Sequence, residues 1–370
     1  MATAPELYGS SAPVLRLGGE RSAALARDLL MLEVKEDTQG MKRLTARFCA
    51  TGPQATGDNE AWLHLDGTEL DFGKRLEVSI GPAAASRTVF AGRISALETE
   101  LREGCQQEVL VYAEDALMDL RWAHRCKTYE DSSDADIVRS IAAEHGLTAQ
   151  VDADGPTHRV VQQWNQSDLA FLRERARLLQ AEIWVEDMTL HFATRSRRPA
   201  PELTLINGNT EPGLAGNKLL TLNARADLAH QRSEVHVAGY DVATRERIDE
   251  SADASDVHAE AGAGRLGVDL LGQAFGTFNS HRLREVPLCS DVASAWARAE
   301  MLRRARGFVR IRGLTDGSPD MVVGSSLSLQ GIGPMFSGSR YRVTQLTHRY
   351  DLQHGHRTAF EAERPHLEPA

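Results

Sequence analysis

The stretch Gly262-Ala263-Gly264-Arg265-Leu266-Gly267 has the G-x-G-x-x-G form of a loop that cradles a dinucleotide phosphate. That chemistry needs a strand before the loop and a helix after it, because the helix N-terminus holds the pyrophosphate. The residues before it, Asp256 to Ala261, do not read as a strand, so the motif reads as a flexible loop. The sequence holds no phosphate-loop G-x-x-x-x-G-K-[ST], no G-x-S-x-G nucleophile elbow and no H-E-x-x-H zinc motif. None of the thirteen histidines forms an i, i+4 pair on a convincing helix. His354-Gly355-His356, with Asp351 as its nearest carboxylate, reads as a hairpin turn. Asp152-Ala153-Asp154-Gly155 begins like a calcium loop but lacks the third acidic ligand and the closing Glu. In Glu114-Asp115 and Glu186-Asp187 the carboxylates are adjacent, so on a strand they face opposite sides and cannot share a substrate. Triads assemble from distant positions, so missing motifs do not exclude an enzyme. The expectation is nonetheless no catalytic residue, no cofactor and no metal.

The elements that would have to position any site are mostly strands. Leu29 to Val34, Leu44 to Cys49, Ala61 to Leu65 and Leu76 to Ile80 are short and separated by turns. Val89 to Leu101 and Glu108 to Ala113 flank Arg102-Glu103-Gly104-Cys105 and predict a hairpin. Ser133-Asp134-Ala135-Asp136 has the form of a capping box and starts a helix that ends at Gly146. Val160 to Trp164 predicts a strand, and Ser167 caps a second helix with Leu169, Phe171, Leu172, Ala176 and Leu179 on its apolar stripe. Ile183 to Val185 and Thr189 to Phe192 pair across Glu186-Asp187-Met188, so residues from about 116 to 198 read as a compact α/β unit. Strand character returns at Leu203 to Ile206, Leu219 to Asn223 and Glu234 to Ala238, while Asp249 to Gly267 predicts a mobile loop. A helix from Ser290 or Asp291 buries Val292, Ala295, Trp296, Ala299 and Leu302, places Arg303, Arg304 and Arg306 in its last turn and stops at Gly307. Phe308 to Arg312, Ser326 to Gln330, Tyr341 to Tyr350 and Thr358 to Glu363 complete a β-rich end.

Length and composition set outer bounds. A chain of 370 residues with 42% hydrophobic content can bury real cores in two or three domains. Its net charge of −10 disfavours binding to a phosphate backbone, so nucleic acid is not an expected partner. No run of about 18 apolar residues occurs, and the start lacks a secretory pattern, which predicts no membrane insertion and folding in the cytoplasm. Cys49, Cys105, Cys126 and Cys289 have no C-x-x-C pairing and read as reduced, mostly buried small side chains.

Two long blocks carry a resemblance. Val89-Phe-Ala-Gly92-Arg-Ile94, Val111-Tyr-Ala-Glu-Asp115, Asp136-Ile137, Gly146-Leu147, and above all Gln163-Trp-Asn-Gln-Ser167-Asp168-Leu-Ala-Phe171-Leu172 with Ile183-Trp-Val-Glu-Asp187 form the first. Val235-His-Val-Ala-Gly239-Tyr240-Asp241, Gly331-Ile-Gly333, Phe336-Ser-Gly338, Tyr341-Arg-Val343 and Gly355 to Arg364 form the second. Together, across about residues 30 to 365, the chain resembles the hub proteins of contractile tails: phage late control D proteins and the hub region of type VI secretion valine-glycine-repeat spike proteins.

The resemblance implies an α+β, mainly β fold with two tail-tube-like β-barrel domains and an inserted small α/β domain. The implied division is 1–115 with 200–225 for the first barrel, 116–199 for the insert, and 226–370 for the second barrel with one flanking helix at about 290–306. It implies a structural baseplate hub, not an enzyme: a homotrimer that adapts a hexameric tail tube or tube-initiator protein to a trimeric spike, among other baseplate proteins. Because the chain stops after the last hub strand, the spike is expected as a separate chain. The particle is a phage virion or a contractile injection particle, assembled in the cytoplasm and released in some systems. The expected interface residues are Gly331, Gly333, Phe336, Gly338, Arg364 and Pro365, with the tail beyond. The competing readings are a cell-wall hydrolase and a glycan-binding tail-tip protein, the latter only through Trp62 and Trp122, which read as core or interface.

Overall fold

The computed structural model describes residues 12–53, 60–81, 86–153, 155–208, 216–261, 264–282 and 286–368. The fold is mainly β. Seven antiparallel strands, Val14–Leu17, Glu20–Arg21, Leu29–Asp37, Arg43–Cys49, Arg75–Ile80, Arg87–Glu100 and Glu108–Glu114, make the first unit. Side chains alternate along each strand, so one face of Arg43–Cys49 sends Leu44, Ala46 and Phe48 into a core with Leu32, Val34, Leu76, Phe90 and Val111. The short helix Ala23–Asp28, capped by the Ser22 hydroxyl accepting from Leu25 N, adds Leu25 to that core.

The last strand of this sheet, Leu29–Asp37, pairs with Gly338–Asp351 from Met31↔Asp351 to Asp37↔Gln345. This joins it to a closed barrel of Glu202–Ile206, Asn217–Ala226, Val309–Asp316, Ser326–Gln330, Gly338–Asp351 and Gly355–Arg364. Each strand hydrogen-bonds to two others around the ring. Leu205, Ile311, Leu327, Tyr341, Val343 and Phe360 fill it.

Two of the expected divisions are corrected. Residues 200–225 do not belong with the first barrel, because Glu202–Ile206 lies parallel to Ser326–Gln330 and Asn217–Ala226 pairs with Val309–Asp316 in the second. Leu205 and Leu219 face that barrel's core. Nor is 226–306 a barrel with a single helix. Glu234–Asp241, Glu246–Asp253 and Asn279–Arg282 form their own three-stranded sheet beneath three helices, Ala254–Ala261, Gly267–Phe275 and Ser290–Arg306. The stretch expected as a mobile loop is thus strand and helix. Ala252, Val257 and Ala261 pack with Ala293, Ala297 and Met301, where small side chains let the elements approach closely. Gly267 is needed there because a Cβ would lie 2.5 Å from the Phe308 ring. Gly262 and Ala263 lie outside the described residues.

The central α/β unit follows its sequence signals. Ser133 caps the helix Asp134–Glu144 with both bonds of a capping box. Ser167 accepts from Ala170 N to cap Asp168–Leu179. The ribbon of His124–Ser133 and Thr157–Ser167 and the sheet of Thr148–Asp152, Ala181–Glu186 and Thr189–Thr194 enclose Ile137, Ile141, Phe171, Leu172 and Phe192.

Candidate functional site

The loop between Gln330 and Gly338, at one end of the closed barrel, is shaped from below. Gly331, Gly333 and Gly338 have φ of +75°, +93° and +110°, which a side chain strains. At Gly338 a Cβ would also sit 2.2 Å from Glu368 Oε1. Arg364 is fully buried under the loop, its guanidinium 4.1 Å above the Tyr341 ring. It donates to the carbonyls of Met335 at 3.1 Å, Ser337 at 3.4 Å and Ser339 at 3.3 Å, and pairs with Glu368 at 3.2 Å. The Tyr341 hydroxyl donates to Phe336 O at 2.8 Å, and burial pushes that phenol up to about 12.

The expected interface set therefore divides. Gly333, with Pro334 and Met335, is exposed at the loop tip, while Gly331, Phe336, Gly338 and Pro365 are half-buried. Arg364 is corrected from an interface residue to an internal strut. Its position at the end of an alternating strand gave no sign of that, since the tripod of carbonyls comes from a loop folded back over it. The tail beyond is likewise tied down, as His366–Leu367 pairs with Arg265–Leu266.

Stiff apolar projections stand out elsewhere on the surface. Trp62 is 63% and Trp122 65% exposed, so neither is core. The loop after Trp62 is held by His64, at a left-handed φ of +60°, between Asp28 at 2.8 Å and Glu69 at 2.9 Å. Lys74 Nζ donates to the carbonyls of Thr68 and Glu69, and Phe72 nearby in sequence is exposed. A cleft of about 650 Å³ runs between the α/β unit and the 234–306 lobe, with Val160, Trp164, Val242, Val286 and Leu288 exposed along it. The consecutive residues Thr157 to Gln162 all line the cleft, although alternate residues of a strand face opposite sides. The cleft therefore follows the edge of that strand, opposite its pairing with His124–Ser133.

The polar clusters are structural in geometry. Ser22, Glu69, His64 and Asp28 form a chain, with Ser22 Oγ donating to Glu69 at 2.6 Å. Both His64 nitrogens face carboxylates, so neither serves as a base for Ser22. Burial raises Asp28, but hydrogen bonds from Arg27 and His64 outweigh it and hold the carboxyl below its usual range. Asp134, His158 and Arg175 form a second buried group, and Gln163, His145 and Arg125 surround Asp168 in a third. His356 Nε2 lies 3.3 Å from His348 Nδ1 inside the barrel, and burial draws the two imidazoles down to about 4 and about 3. His354 instead faces Asp351 in the turn, so the His354-Gly355-His356 run separates its two rings. Asp115, buried and accepting from Lys42 N and Leu117 N, is pushed by burial up to about 7, while its neighbour Glu114 pairs with Arg121. Among the described residues no three His, Cys, Asp or Glu side chains are placed to hold a metal ion.

A six-stranded closed barrel fused edge to edge with a seven-stranded antiparallel sheet, carrying α/β lobes, is the fold of phage and prophage tail proteins. The chain is similar to the 43 kDa tail protein of prophage MuSo2 from Shewanella oneidensis at 12% identity, with a TM-score of 0.69 over 96% of this chain and 99% of that one. It is similar to the tail protein from Neisseria meningitidis MC58 at 12% identity, with a TM-score of 0.65 and 96% of each chain covered. It is also similar to the Escherichia coli c3393 protein, a type VI secretion component described as resembling T4 bacteriophage tail proteins gp27 and gp5. That likeness has 14% identity and a TM-score of 0.57, over 96% of this chain and 79% of that one. A family model described as the Alg8 N-terminal domain matches residues 60–351, most of the chain, and the chain belongs to that family. No curated protein matches it.

Proposed function

We propose that this chain is a non-catalytic hub of a contractile phage tail or injection system, of the late control D kind. In this reading it forms a homotrimer, assembled in the cytoplasm, between a hexameric tail tube and a trimeric spike, in contact with other baseplate proteins. The observation that carries the reading is the strand pairing of Leu29–Asp37 with Gly338–Asp351, which sets two β units side by side in one continuous sheet. In this reading three such chains in a closed ring offer six β units, two per chain, to a sixfold tube and three equivalent positions to a threefold spike. The fold shared with solved tail proteins supports the assignment. No described helix is long and apolar enough to cross a membrane.

The test is the mass in solution by light scattering, for the chain alone and with the tube and spike proteins encoded beside it. A trimer, or a monomer that trimerises on meeting the spike, is expected. A persistent monomer that binds neither protein would sink the proposal.

A further inference from the structure

A pocket of about 410 Å³ opens where the helix Ala254–Ala261, the end of the helix Ser290–Arg306, the turn at Gly324 and the strand Gly338–Asp351 meet. Four arginines line it, Arg195, Arg306, Arg340 and Arg342, against two carboxylates, Glu260 and Glu363. In a chain of net charge −10 this is a local reversal of sign. Arg306 is satisfied by a bidentate pair with Glu260 at 2.6 Å, and Arg195 by Glu363 at 2.7 Å.

The other two guanidiniums lack a full ion pair, Arg342 half-buried and Arg340 exposed at the pocket's mouth. Arg342 reaches Glu182 only at 3.5 Å, and that carboxylate is already taken by Arg198 at 3.1 Å. Its Nε is buried without a partner, and burial draws the group down to about 10. Arg340 donates to a neutral acceptor, Ala261 O, at 3.0 Å, and forms no ion pair among the described residues. It stands at φ +67°, a conformation that costs free energy in any residue but glycine and that persists where the surroundings require it. Beside them His366, almost fully buried, has Nδ1 without a partner. Gly324, at φ +95°, leaves space for Arg342 and Arg198, since a Cβ there would lie 3.1 Å from Arg342 Nη2 and 3.2 Å from Arg198 Cδ.

We propose that this pocket binds an oxyanion, a carboxylate or a phosphate-type group, between Arg340 and Arg342. Planar guanidinium forks recognise such anions through paired hydrogen bonds, and the two under-neutralised forks are the groups an anion would complete. The inference stands apart from the hub reading, since it concerns the single chain. The source of the anion is either a free ion or an acidic side chain presented by a partner.

The experiment is isothermal titration of the full chain, in a Tris chloride buffer free of other oxyanions, with inorganic phosphate and separately with a hexaglutamate peptide. Saturable binding of at least one is expected, weakening as chloride rises. Arg340→Gln should weaken it at least tenfold, Arg340→Lys should weaken it partly, and Arg312→Gln, an exposed arginine on another strand, should leave it unchanged. Arg340→Gly removes both the charge and the strain, so its Tm should rise by about 1 °C while binding is lost, which separates the site from a folding effect. Phosphate binding alone identifies a free ion, and peptide binding alone identifies a partner's carboxylates. No saturable binding of either, or equal binding by the wild type and Arg340→Gln, overturns the proposal.

Discussion

The two β units share one continuous sheet but house their buried polar groups differently. The first is an open antiparallel sheet around an apolar core of Leu, Val, Ile, Ala and Phe, with Asp28 and His64 buried beside it as a pair that Glu69 completes. The second closes its hydrogen-bond ring and admits polar groups: His348, His356, Thr358, Ser325 and Arg364 are all buried. The ring's strands pair with one another, and the half of Gly338–Asp351 beyond its pairing with Ser326–Gln330 is taken by Leu29–Asp37, which leaves loops for the barrel's other contacts. The open sheet keeps an edge and stiff apolar projections. One unit is thus suited to edge and aromatic contacts, the other to presenting a loop braced from inside.

The largest effect should follow removal of the brace. Arg364→Ala leaves three carbonyls and Glu368 without their donor and opens a space beneath Tyr341, so the barrel should lose about 3–5 kcal/mol in denaturant unfolding. Arg364→Lys should recover little, because a point charge cannot replace the fork. Leu76→Ala in the open sheet should cost about 2–5 kcal/mol through a cavity alone, with no change in the barrel's pH response.

The closed unit should carry its own response to acid. His348 and His356 are held neutral by burial, with folded values near 3 and 4 against an ordinary 6.5. Their contribution is fully present above about pH 6.5 and is lost as the pH falls from there toward 4 and 3. Acid unfolding followed by hydrogen exchange should therefore release the barrel strands by a few kcal/mol over that window. His348→Gln should move that transition to lower pH. An unchanged transition would remove the histidine pair as its cause.

Smaller effects test the local signals. Ser133→Ala should cost about 1 kcal/mol by removing the cap of the helix Asp134–Glu144, measured as a lower Tm. Trp62→Ala should change stability by less than about 0.5 kcal/mol, because the ring is exposed. If the open sheet's rim is a subunit contact, the same variant should weaken self-association in light scattering. Unaltered association would move the contact elsewhere.

Much of the fold was legible where the signal is local. Ser133 and Asp136 sit three apart and each serves the other's backbone, so the helix start is written in four residues. The stripe on Asp168–Leu179 and the arginines closing Ser290–Arg306 are of the same kind. Residues 249–267 were misread because low hydrophobicity stood in for disorder, whereas alanines that look weak singly bury well between closely packed helices. The anion pocket was not read from the sequence, because Arg195, Arg306 and the Arg340–Arg342 pair come from three separate segments.

By itself, the sequence determined many of the strands and the helices Asp134–Glu144, Asp168–Leu179 and Ser290–Arg306, since side-chain period and capping act within a few residues. Only the tertiary structure decided that Glu202–Ile206 and Asn217–Ala226 complete the second barrel, and that Arg364 faces inward beneath a loop. The physical reason is that β pairing and burial join residues more than a hundred positions apart. A five-residue strand carries no mark of which distant edge it will meet.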